Sequence, residues 1–81
     1  MDESELQISI GKSARENDQL VRNSDQNYWW FHLKNHPSPH VIAHSDELNR
    51  TEIKRCAAAV VENSKLKNLR RVSVIYTQVK N

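Results

Sequence analysis

Tyr28-Trp29-Trp30-Phe31-His32-Leu33-Lys34, then Asn35-His36-Pro37-Ser38-Pro39, then His40-Val41-Ile42-Ala43-His44: the reading of this stretch decides the fold. The first run is aromatic, the last holds Val and Ile, and the middle carries two prolines. Proline denies a ladder its donor and biases the residue before it away from helix. Pro37 and Pro39 therefore place a turn between two strands. Side chains alternate across a strand, so Trp29, Phe31 and Leu33 share one face while Tyr28, Trp30, His32 and Lys34 share the other. The first three make an ordinary core face. The second set mixes rings with imidazole and ammonium groups, the combination that stacks on bases and meets phosphates.

Upstream, Leu6, Ile8 and Ile10 alternate with Gln7 and Ser9, the pattern of a half-buried strand that Gly11-Lys12 ends. Ser13-Ala14-Arg15-Glu16 matches a capping box and starts a short helix from Ala14 to about Arg22, followed by turn residues 23–27. Downstream, Asn49 is placed to cap a second helix with Glu52 three residues on. Ile53, Cys56/Ala57, Val60, Val61 and Ser64 give that helix an apolar stripe. A basic loop over 65–71 leads to a last strand, Val72 to Val79. The order β-α-β-β-α-β predicts a small α+β domain: one antiparallel or mixed sheet with two helices, expected on one face. A ferredoxin-like topology satisfies that order.

The chain has 81 residues with 37% apolar side chains, enough for one core and one domain over 1–81. Cys56 is the only cysteine, which excludes an internal disulfide and fits a reducing compartment. Residues 1–5 read as an acidic, disordered tail and not a signal peptide. No apolar run approaches the roughly 18 residues that span a bilayer, so a cytoplasmic domain with no membrane partner is expected. The net charge of +2 hides an asymmetry: three of the ten acids are Asp2, Glu3 and Glu5. From Arg50 onward eight basic residues face only Glu52 and Glu62, and such a basic half suits a polyanion.

Catalysis has little to build on. His32, His36, His40 and His44 recur every fourth residue, but the prolines break the helix that would align them. Paired strands bring His32 and His40 together as a two-histidine site, against the plainer reading of polar strand and loop histidines. His32 or His40 with Asp18 is the one acid-base set available, and Cys56 lies on an apolar stripe. A single glycine cannot build a phosphate loop. The expectation is no enzyme, no catalytic residue, no metal and no cofactor.

Gly11-Lys12-Ser13-Ala14-Arg15-Glu16-Asn17-Asp18, Trp30-Phe31-His32, Ser38-Pro39-His40-Val41, Cys56-Ala57 through Asn63-Ser64, and Val74-Ile75-Tyr76-Thr77 with Lys80 form ordered blocks. Together they resemble the NFACT-R (NFACT RNA-binding) domain family, found at the end of ribosome-quality-control and fibronectin-binding-type proteins. The chain looks like a short, stand-alone member. Many bacterial members have Pro-Gly-Ser-His in the turn, where this chain has His36-Pro37-Ser38-Pro39-His40. The resemblance implies binding of structured RNA, tRNA or rRNA, without catalysis by the domain. Carried over by position, the family residues are Gly11, Lys12, Asn17, Asp18, His32, Ser38 and His40. Lys12 suits a phosphate, and the two histidines suit phosphate or 2′-hydroxyl oxygens. Arg15, Tyr28, Trp30 and Lys34 join them as the basic and aromatic surface. DNA stays open as a second polyanion, and ribosomal or quality-control proteins as partners of an alternative protein-interaction module. A metal-dependent hydrolase on His32, His40 and Asp18 is the third reading.

Overall fold

The computed structural model describes residues 6–65 and 72–80. The acidic tail and residues 66–71 of the basic loop lie outside them. The elements are β1 (Ile8–Gly11), α1 (Ala14–Asn23), β2 (Trp29–Leu33), β3 (His40–Ala43), α2 (Arg50–Glu62) and β4 (Val74–Gln78). Both helix starts follow from local chemistry. Asn49 and Glu52 form the reciprocal capping box: the Glu52 amide donates to Asn49 Oδ1 at 2.7 Å and the Asn49 amide to Glu52 Oε1 at 2.9 Å. Ser13 Oγ accepts from the Glu16 amide at 3.1 Å, but Glu16 reaches one residue further back than a standard box, to the Lys12 amide at 2.8 Å.

The sheet is antiparallel throughout, in the order β1-β3-β2-β4. Each half of the chain is a split βαβ unit: β1 and β2 straddle β3, and β3 and β4 straddle β2. Both units step the same way across the sheet, yet β1 and β3 run in opposite directions. Crossovers of one hand must then pass over opposite faces. The contacts agree: α1 lies on β1 and β3, and α2 on β2 and β3. The two helices therefore do not share a face, contrary to the sequence-based expectation.

The larger core lies under α2. Phe31, Leu33, Val41 and Ala43 from the sheet meet Cys56 and Val60 from α2, with Leu6 beside them. Trp29 packs at its margin, so the trio assigned to the core face is there. Burial pushes the Cys56 thiol up to about 11, as expected of a small core residue. On the α1 side Ile42 is fully buried, and α1 itself contributes only half-buried residues.

Gly11 explains how α1 comes so close. A Cβ there would lie 2.5 Å from Asn17 Oδ1 and 2.9 Å from Leu20 Cδ1. No glycine has positive φ, so this position needs glycine for space and not for backbone freedom. The tight turn conformation falls instead to Asn35, φ 65°, a residue type that tolerates the left-handed region.

Candidate functional site

At one end of the sheet three segments converge around an open cleft of about 570 Å³. The start of α1 contributes Lys12, Ser13, Ala14 and Asn17. His32 and the β2–β3 turn, from His36 through His40, form a second wall. Asn63, Ser64 and Lys65, just past α2, form the third. No carboxylate is among these lining residues, while two lysines and three histidines are. The N-terminus of α1 adds the positive end of its dipole, and the Ala14 and Arg15 amides have no partner within the helix.

Structural hydrogen bonds fix this shape. Asn17 Oδ1 accepts from the His40 amide at 3.2 Å, tying α1 to the first residue of β3. Ser38 Oγ accepts from the Leu33 amide at 3.1 Å and donates to Pro39 O at 3.0 Å, closing the turn. Among the family positions, Gly11, Asn17 and Ser38 thus build the cleft. Lys12, His32 and His40 are left to face into it.

Three aromatic rings meet where the cleft borders the sheet. The Trp30 indole and His32 imidazole stack at 5.3 Å and 5°. His40 stands edge-on to both, 5.1 Å from Trp30 and 5.0 Å from His32. Trp30 Nε1 and His40 Nδ1 are buried and find no hydrogen-bond partner among the described residues. Burial lowers the His40 pKa from its ordinary 6.5, and the neighbouring His32 pushes the same way. The folded form thus disfavours the proton relative to the unfolded chain. Its contribution to stability is complete above pH 6.5 and is lost as pH falls through the lower, folded value. Urea midpoints measured at pH 7.5 and 5.5 are expected to fall further for the native chain than for His40→Asn. An equal fall in both would show that another group governs the acid side.

The remaining nominated residues lie elsewhere. Tyr28 stacks on His44 at 5.0 Å, and His44 Nε2 and Ser9 Oγ share a 2.6 Å hydrogen bond. Asp18 pairs with Arg22 Nε at 2.8 Å on the exposed side of α1. Arg15 and Lys34 are exposed and do not line the cleft. Trp30 is half-buried and adjoins the cleft only through the two imidazoles. Conversely, His36, Asn63 and Lys65 line the cleft without having been nominated. His36 had a signal, its place in the histidine series. Lys65 had a weaker one, the first position of the basic loop.

Sheet and helices define a small α+β module. The chain belongs to the NFACT protein RNA binding domain family, whose sequence profile matches residues 2–81. It is 33% identical over 77 residues to the Rqc2 homolog RqcH of Bacillus subtilis (strain 168), covering 94% of this chain and 14% of that protein. It also superimposes on the solved C-terminal part of the fibronectin/fibrinogen-binding protein from Streptococcus suis. There the TM-score is 0.81 and the identity 28%, covering 90% of this chain and 30% of that one. The chain thus spans well under half the length of either relative.

Proposed function

We propose that this domain holds structured RNA, of the tRNA or rRNA kind, by its phosphates and 2′-hydroxyls in the cleft between α1, the β2–β3 turn and the end of α2. One observation carries the reading: Lys12, His32 and His40, from separate blocks of the family pattern, converge on a cleft lined by no acid. Lysine gives a point charge to a phosphate, and a neutral imidazole donates one hydrogen bond to phosphate or ribose oxygen. Shape recognition follows, because the cleft offers groups that meet phosphate and ribose and not base edges. In this reading the domain does no chemistry of its own. Its thiol is buried in the core, and Asp18 points its carboxylate at Arg22 instead of at the histidines. The relationship to an Rqc2 homolog supports a place in ribosome quality control in the cytoplasm, with ribosomal or quality-control proteins nearby.

Titration with tRNA, a hairpin RNA and single-stranded DNA at several salt concentrations tests this. Three or four neutralised phosphates give a log–log salt slope of about −2 to −4. RNA binding with that slope, and weaker binding of DNA, is the expected result. Absence of binding to every nucleic acid at low salt removes the proposal.

A further inference from the structure

A second, smaller cavity of about 240 Å³ lies between α1 and β4, walled by Val21, Trp30, His40, Thr77, Gln78 and Val79. His40 lines both this cavity and the cleft, so the two adjoin at that residue. We propose that this cavity receives a single unstacked base from the RNA whose phosphates occupy the cleft. The inference rests on the RNA reading above and adds to it where a base goes.

Size, surface and position each favour that occupant. The volume is below the roughly 300–1,000 Å³ of sites for drug-sized ligands, which suits one planar ring system better than a peptide helix. Two valines and the Trp30 indole supply a largely apolar wall of the kind on which bases stack irrespective of sequence. The indole plane is held by the parallel His32 ring, so little ordering remains to be done when a base arrives. A base also differs from an aliphatic side chain in carrying donors and acceptors around its edge. On this wall Thr77 and Gln78 carry side chains with donors and acceptors of the kind such an edge meets. Continuity with a cation-lined cleft completes the case: within one nucleotide the base and its phosphate are joined by a single ribose.

The test uses the full chain and a hairpin RNA whose loop nucleotides are replaced one at a time by abasic ribose phosphate. Backbone charge is unchanged across the series. At one loop position, loss of the base is expected to weaken binding about tenfold. Val21→Phe, which fills the cavity from α1, is expected to bring the base-bearing hairpin to the abasic level and leave the abasic one unchanged. Should Val21→Phe not fold, the indole N–H resonance of Trp30, assigned with Trp29→Phe, gives the second reading. It is expected to shift with the base-bearing RNA and to stay in place with the abasic one. Equal affinity across the series, with an unmoved indole signal, overturns the inference and leaves RNA binding standing. Failure of every hairpin to bind overturns both.

Discussion

Valine in place of Gly11 is expected to cost about 2–3 kcal/mol of stability, which in a domain this small lowers Tm by about 10 °C or more. The first added carbon alone meets Asn17 Oδ1 at 2.5 Å, Leu20 Cδ1 at 2.9 Å and the Asn17 backbone nitrogen at 3.1 Å. The side-chain atoms can turn aside, but the backbone nitrogen moves only if α1 moves. Valine adds two methyl groups to the same crowded space. Lifting α1 stretches the bond from the His40 amide to Asn17 and uncovers Ile42. Gly11→Ala is expected to fall between the native chain and valine. Combined with Asn17→Ala it is expected to cost less than the sum of the two single changes, since the nearest obstacle has gone. Urea denaturation followed by circular dichroism measures all four. A valine variant within about 0.5 kcal/mol of the native chain would mean that helix and strand are not seated as described.

That close approach was invisible in the sequence, and the reason is general. Gly11 announced itself only as the end of a strand, because what makes glycine necessary there lies six and nine residues away on a helix whose docking is set by the whole sheet. Element order was legible, since it rests on local signals: the capping residues Ser13 and Asn49, the prolines of the turn, and the alternation in Trp29-Trp30-Phe31-His32-Leu33. Strand adjacency was not. β4 pairs with β2 through contacts such as Phe31 with Tyr76, stacked at 5.2 Å, and no residue of β4 encodes that neighbour by itself. The helices' opposite placement follows from that adjacency, so it was lost with it. The histidine series shows the same divide. His32, His36 and His40 gather at the cleft because a turn folds them together, while His44, with identical spacing, lies just past the other end of β3 and joins Ser9 and Tyr28. Alternation correctly put Trp30 on the face opposite Phe31, but its half-burial beside His32 and His40 depends on tertiary contacts.

The cleft assignment carries the other large effect: Lys12→Ala with His32→Ala is expected to weaken RNA binding about 100-fold at roughly 0.1 M salt. Lys12 contributes a charge-assisted contact to phosphate and His32 a hydrogen bond. Removing the lysine is also expected to make the salt slope shallower by about one. Lys12 is exposed between β1 and α1, so its loss is expected to leave the melting temperature unchanged. Loss of the His32 ring that stacks on Trp30 is expected to lower it modestly, with the circular dichroism of the folded chain retained. Arg15→Ala with Lys34→Ala is the informative comparison. It removes two full charges where the cleft pair removes one, from residues that the sequence nominated equally and the fold places outside the cleft. Arg15 and Lys34 do not line the cleft, so they make no direct contact with a phosphate held there and act only through a field that ions screen at this salt concentration. The second pair is therefore expected to stay within about threefold of the native chain, with the slope unchanged. If the two pairs weaken binding equally, attraction is spread over the basic surface and the convergence of Lys12, His32 and His40 has no bearing on RNA. A large loss confined to the cleft pair places the phosphate beside Lys12 and His32, in a cleft whose lining residues include two lysines and no acid.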